Sequence, residues 1–233
     1  MCHGAASTAF PEPDPQGNVS EEVEAILFGD PSSSVKVAVI PDIYGTNAFY
    51  QGFSTYLAEK GAQVFLADPF HGLGELPEAT RENAFVRRHK VSDKAFVDAF
   101  EAFCNSHNVT GIVGFCLGGY YVFELARRNV SQDLVGLYGF PQGMENQDPL
   151  DKPFDYLPSV TKHHTVLMPG QDASVGVENI ARLAEQAVEN PAIEMTVYDE
   201  SGHGFLKDLE GDDELLRGHA EDALRRCVAA VGL

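Results

Sequence analysis

Six residues, Gly114-Phe115-Cys116-Leu117-Gly118-Gly119, constrain this chain more than any others because of what flanks them. A short apolar run, Gly111 to Phe115, leads in, and an amphipathic run, Leu117 to Arg128, leads out. The first reads as a buried strand and the second as a helix. Joining them without a loop demands a sharp strand-to-helix turn, and glycines two before and two after Cys116 leave room for it. A thiol at such a turn stands out of the sheet beside the first N–H groups of a helix. Attack on a carbonyl needs that combination, a nucleophile with a donor for the developing oxyanion. The helix N-terminus also favours thiolate over thiol.

The rest of the chain repeats the strand and helix alternation. Val23 to Phe28, Val35 to Ile40, Gln63 to Ala67, Leu134 to Tyr138, Thr165 to Met168 and Glu194 to Tyr198 read as further strands. Asn47 caps a predicted helix that stops at Gly61, carrying Phe49, Phe53, Tyr56 and Leu57 on one face. Helices are also predicted around Ala79 to His89, after Ser92, from Gly176 to Glu189 and from Asp212 to Val231. The phenylalanines after Ser92 recur at helical spacing and read as core. This order predicts an α/β class with a mostly parallel sheet and helices on both faces. Residues 1–20, rich in Pro, Gly, Ser and Asn, are expected to be an irregular arm, and residues 21–233 one domain. The polar stretch from Pro141 to Lys162 is long for a connection and is expected to border a site.

Composition narrows the function. At 233 residues the chain can bury roughly 70% of its extended surface, enough for one large core. Sixteen basic against thirty-five acidic residues give a charge of −19, which disfavours nucleic acid and anionic membrane surfaces. The acidity reads as a property of the solvated surface. No apolar run is long enough to span a bilayer and no leader pattern precedes one, so a cytoplasmic protein, monomeric or a small homo-oligomer, is the expectation. Cys2, Cys104, Cys116 and Cys227 lack the spacing of a disulfide framework or zinc site. Cys104 and Cys227 read as buried apolar residues, and Cys2 with His3 is a poor metal site. No metal and no cofactor are expected.

Two further residues complete a constellation around Cys116. Asp172 follows the Thr165 to Met168 strand, and His203 follows the Glu194 to Tyr198 strand. Both stand beyond strand carboxyl ends, where open α/β sheets build their sites. Nucleophile, acid, then histidine is also the chain order of the elbow-type hydrolases. The chemistry assigns the roles: Cys116 attacks, His203 holds and returns the proton, and Asp172 orients the imidazole. The seven other histidines, His163 and His164 included, read as surface or helix residues.

With the segments PDIYGTNAF, LADPF, RENAF, GFCLGG, GQD and SGHGF in this order, the chain resembles the dienelactone hydrolase family, a cysteine-dependent branch of the α/β hydrolases. The likeness runs from about Lys36 to the terminal helix. It implies the α/β-hydrolase fold, with Cys116, Asp172 and His203 as the triad and the backbone N–H groups of Leu117 and Ile43 as the oxyanion hole. It sets Asp42 where well-known members carry a thiol-activating glutamate, one methylene longer. It implies Arg81 as a binder of the substrate carboxylate, with Lys207 in place of a second arginine, Phe85 in place of a tyrosine and Arg88 in place of a tryptophan. Read from the residues alone, Arg81, Arg87 and Arg88 are charges on a helix face. The lysine keeps its charge and loses the bidentate fork.

The expected activity is hydrolysis of a small, anionic enol lactone or ester through a thioacyl intermediate. A broader carboxylesterase or thioesterase shares the triad without needing Arg81. Attack at a saturated carbon–oxygen or carbon–halogen centre fits less well, because it calls for a carboxylate nucleophile in this fold. A binding module without catalysis would lack a reactive thiol at Cys116.

Overall fold

Eight strands form one sheet in the computed structural model, which describes residues 7–233. The strands are β1 Gly17–Ser20, β2 Glu24–Phe28, β3 Lys36–Ile40, β4 Gln63–Asp68, β5 Gly111–Phe115, β6 Asp133–Leu137, β7 His164–Pro169 and β8 Ile193–Tyr198. Their order across the sheet is β1-β2-β4-β3-β5-β6-β7-β8. β1 and β2 run antiparallel to their neighbours, and β4 through β8 pair in parallel.

Strand alternation sorts the core into two layers. In β3, Val37 and Val39 pack on one face while Ala38 and Ile40 pack on the other, and Val64 with Leu66 and Phe65 with Ala67 divide in the same way in β4. Helices α1 (Ala48–Glu59) and α7 (Glu214–Ala230) cover one face through Phe49, Phe53, Leu57, Ala220 and Cys227. Helices α3 (Asp93–Ser106), α4 (Leu117–Arg127) and α6 (Val177–Glu189) cover the other through Phe100, Phe103, Tyr121, Leu125 and Leu183. Two shorter helices, α2 (Arg81–Arg88) and α5 (Pro153–Tyr156), complete the set.

Local chemistry fixes where the helices begin. The Asn47 side chain accepts from the Phe49 N–H, Thr80 from Asn83, Ser92 from Ala95, and Asp213 from both Leu215 and Leu216. The order of strands, not their direction, reverses at β3: β4 lies on one side of it and β5 on the other, both parallel to it. A crevice opens at the carboxyl ends of two such strands. Cys116 follows β5 there, and Asp42 and Ile43 follow β3.

The N-terminal segment departs from the sequence expectation. Gly17–Ser20 is a paired edge strand, and Phe10 is buried with its ring 5.3 Å from Phe49 and 5.5 Å from Phe53. Composition near the terminus suggests irregularity, but one aromatic anchor and a nonlocal strand partner override it. Cys2 and His3 lie outside the described residues. Among the described residues, no helix is long and apolar enough to cross a membrane.

Candidate active site

Cys116 occupies the turn between β5 and α4 with φ 53° and ψ −101°, a conformation that costs a side-chain-bearing residue of order 1–3 kcal/mol. Close packing holds it there. Gly118 N–H donates to the Pro41 carbonyl at 3.2 Å, and Cys116 N–H donates to the Leu137 carbonyl at 2.9 Å. A Cβ on Gly118 would stand 2.2 Å from the Ile40 oxygen, and one on Gly114 would stand 2.2 Å from the Gly118 oxygen. The two flanking glycines thus let the helix start press against β3. Leu117 opens α4, where a backbone N–H has no acceptor within the helix.

His203 and Asp172 meet beyond the carboxyl ends of β8 and β7. His203 Nδ1 is 2.6 Å from Asp172 Oδ2, and both residues are buried. The other carboxylate oxygen accepts from Ser174 N–H at 2.8 Å and Val175 N–H at 3.0 Å. Both oxygens are therefore committed, which fixes the plane of the carboxylate. An ionised carboxylate only accepts, so Nδ1 carries the proton and Nε2 is the basic nitrogen. The rings of Tyr138 and Phe140 flank the imidazole at 5.0 and 5.7 Å between centroids. Gln171 N–H donates to the Ser201 carbonyl at 2.9 Å, and the Gln171 side chain donates to the Asp199 carbonyl at 3.0 Å, tying the two loops together.

A cavity of about 410 Å³ collects much of the expected set: Cys116, His203, Ile43, Arg81 and Phe85 all line it. Arg81 sits at its exposed rim, its guanidinium carbon 5.4 Å from the centre of the Phe85 ring. Gln142, Gly143, Met144 and Glu145 also line it, so the long polar stretch after β6 does border the cavity. Asp42 is wholly buried beyond β3, with one carboxylate oxygen accepting from Tyr44 N–H at 2.7 Å.

Two sequence expectations are corrected. Arg88 is not a cavity wall; it is buried and paired with Asp93 at 2.7 Å, while Tyr121 donates to the other Asp93 oxygen at 2.6 Å. A buried carboxylate at the start of α3 outcompetes the solvent-facing position. Lys207 is exposed and does not line the cavity. After His203 the chain tightens into a 3₁₀ turn, Phe205–Glu210, that buries Phe205 and Leu206 and leaves Lys207 facing solvent.

Other residues near the site escaped the sequence reading. His89, the C-cap of α2, is exposed yet borders the cavity, and Ser174 and Phe140 line it as well. His164 is a core residue of β7 and not a surface one. Only its position inside an apolar strand run could have signalled that. Cys104 and Cys227 are buried on helices, as expected, and burial pushes both thiols up, Cys227 to about 12.

Comparison with known proteins agrees with this architecture. A model of the dienelactone hydrolase family matches residues 23–231. Carboxymethylenebutenolidase 2 of Cupriavidus pinatubonensis is 46% identical over 226 residues, covering 97% of this chain and 96% of that protein. The carboxymethylenebutenolidase of Rhodococcus opacus is 28% identical over 242 residues, with 98% and 95% covered. Among solved structures, a Klebsiella pneumoniae protein assigned to the dienelactone hydrolases has a TM-score of 0.75 at 20% identity, covering 95% of this chain and 96% of that one. At that identity the likeness speaks for the fold alone.

Proposed function

The chain belongs to the dienelactone hydrolase family and is a carboxylic ester or lactone hydrolase; on that premise we propose that Cys116 is its nucleophile and a small enol lactone bearing a carboxylate its substrate. The observation that most supports this is the shared cavity of Cys116 and His203, with His203 Nδ1 bonded to Asp172 at 2.6 Å on the far side.

In the first half-reaction the Cys116 thiol gives its proton to His203 Nε2 and the sulfur adds to the lactone carbonyl carbon. The carbonyl oxygen becomes an oxyanion facing the N–H groups of Leu117 and Ile43. Collapse forms the thioester and breaks the ring carbon–oxygen bond, and the electron pair leaves on an enolate. Conjugation stabilises that leaving group, so it needs little help from an acid, and proton return from His203 completes it. Water then adds to the thioester carbonyl with its proton passing to His203. The carbon–sulfur bond breaks, the acid departs and the thiol is restored. Asp172 keeps Nδ1 protonated throughout and stabilises the imidazolium.

Arg81 at the rim holds the substrate carboxylate, and Phe85 supplies an apolar wall beneath it. No step of this path calls on a metal or organic cofactor. Asp42 acts on the thiol from the β3 side in this reading, and the small anionic substrate is the protein's partner in solution. A broader esterase activity has one observation in its favour: Lys207 lies outside the cavity, which weakens any selection for a second anionic group.

An activity screen of unsaturated lactone acids and small neutral esters, run with wild type and Cys116→Ala in parallel, tests the proposal. The variant is expected to lose essentially all turnover and the wild type to prefer the lactone acid. Turnover that survives Cys116→Ala would remove the proposed nucleophile.

A further inference from the structure

Resting on the reading of Ile43 as an oxyanion donor, we propose that Arg87 is a positioning residue that clamps the loop after β3 against the loop after β4 and so sets the Ile43 amide. Arg87 does not line the cavity of Cys116. Its guanidinium reaches the loop from behind: Nη2 donates to the Ile43 carbonyl at 3.3 Å, and Nη1 donates to the Gly74 carbonyl at 3.4 Å. The Phe70 ring carries the guanidinium on its face, 4.0 Å from carbon to ring centre.

The loop is shaped to receive this group. Gly45 has φ 78°, and a Cβ there would stand 3.2 Å from Arg87 Nη2, so a side chain at that position would meet both backbone strain and the guanidinium. Asp42 folds the same loop from its other end, accepting the Tyr44 N–H on its side chain and the Gly45 N–H, at 3.1 Å, on its carbonyl. Arg87 is half-buried; burial pushes its ionisation down, opposed by the nearby carboxylates of Asp68 and Asp42. Asp68 in turn is pushed up by burial, against the Phe70 N–H and the Arg87 charge. The charges of Asp68, at the end of β4, and of Asp42, beyond β3, thus both favour the cationic form of one side chain from α2, whose hydrogen bonds run to the Ile43 and Gly74 carbonyls.

A transition-state donor contributes only when it is already in place, so loosening the loop should slow the chemical step and leave ground-state binding almost intact. Arg87→Lys keeps the charge and most of the stem packing but cannot span both carbonyls. Arg87→Met removes the charge and both bonds.

The experiment measures kcat and KM for p-nitrophenyl acetate, a neutral ester that bypasses Arg81, in wild type, Arg87→Lys, Arg87→Met and Cys116→Ala. The rate of iodoacetamide alkylation at Cys116, a reaction that needs the thiol and no oxyanion hole, is measured beside it. Arg87→Met is expected to lower kcat by about 10- to 100-fold with KM within about twofold. Arg87→Lys should recover part of that loss, and alkylation should stay within about threefold of wild type. If Arg87→Met does not fold, Arg87→Lys carries the test, with a kcat about 3- to 10-fold below wild type expected. Unchanged kcat in the folded variants, or equal losses in esterase and alkylation rates, would overturn the role of Arg87. Activity surviving in Cys116→Ala would instead overturn the reading of the nucleophile.

Discussion

His203 Nδ1 lies 2.6 Å from Asp172 Oδ2, while the other oxygen of that carboxylate is held by the N–H groups of Ser174 and Val175. The two halves of the carboxylate thus do different work, one fixing the loop and one fixing the imidazole. Asp172→Asn separates them. Its amide oxygen can keep the Ser174 and Val175 bonds, but its NH₂ cannot accept from Nδ1–H, so the ring turns to the wrong tautomer. We expect kcat to fall by about 10²- to 10⁴-fold with the thermal midpoint little changed. Steady-state kinetics beside a thermal melt checks both, and near-normal kcat would show that the imidazole needs no orienting carboxylate.

Arg81 and Lys207 should separate cleanly by substrate. Arg81→Ala is expected to raise KM for a lactone acid about 10- to 100-fold, the worth of a charged hydrogen bond, and to leave a neutral ester nearly unaffected. Lys207→Ala should change neither by more than about twofold, because Lys207 faces solvent outside the cavity. A large effect at Lys207 on the acid alone would show that the anion binds elsewhere.

The Arg88–Asp93 pair tests stability and not chemistry. Both side chains are almost completely buried, and among the described residues Arg88 Nε and Nη1 have no hydrogen-bond partner. Asp93 is therefore its main compensation. Asp93→Ala is expected to cost about 3–5 kcal/mol in urea unfolding, since it strands a buried charge. The double variant Arg88→Met with Asp93→Leu should recover most of the loss. A double variant as unstable as the single one would mean that packing matters here more than charge.

His164 makes stability depend on pH in a predictable direction. Burial, the largest influence, lowers its pKa, and its Nδ1 lies 2.9 Å from the Lys162 carbonyl. A carbonyl only accepts, so the neutral Nδ1–H ring satisfies it while Nε2 is left in the apolar interior. The folded state thus resists a proton that the unfolded chain takes up near its ordinary value of 6.5. Stability from the neutral ring is fully present above that value and is lost as pH falls from it toward the lower folded pKa. Denaturant titrations at several pH values should show wild type losing more stability than His164→Phe on acidification over this range. Parallel pH curves would contradict the assignment.

The elbow was readable because strand, turn and helix are all local. Two glycines and a thiol between an apolar and an amphipathic run leave few alternatives, and the observed contacts of Gly114 and Gly118 supply the physical reason. That Asp172 and His203 come together was readable because each follows a strand, and the sheet brings strand ends together. The expected helix caps at Asn47 and Ser92 likewise act over two or three residues.

What local pattern could not convey is which side of a helix meets which neighbour. Arg81, Arg87 and Arg88 look alike in sequence, yet one lines the cavity rim, one clamps a loop and one is buried against α3. Separating them requires the positions of Asp93, Phe70 and Ile43, all set by tertiary packing. β1 escaped for the same reason, since its partner is the neighbouring antiparallel strand and its own residues are mostly polar.

The central claim is that sulfur of Cys116 carries the acyl group during turnover. Rapid quenching of the reaction into acid, followed by peptide mass spectrometry across residues 111–128, tests it most directly. The peptide containing Cys116 should gain the mass of the opened lactone, the gain should decay at the rate of turnover, and hydroxylamine should remove it. Full turnover with the thiol unmodified at every time point, under conditions where acyl transfer outpaces hydrolysis for a slow ester, would contradict the account.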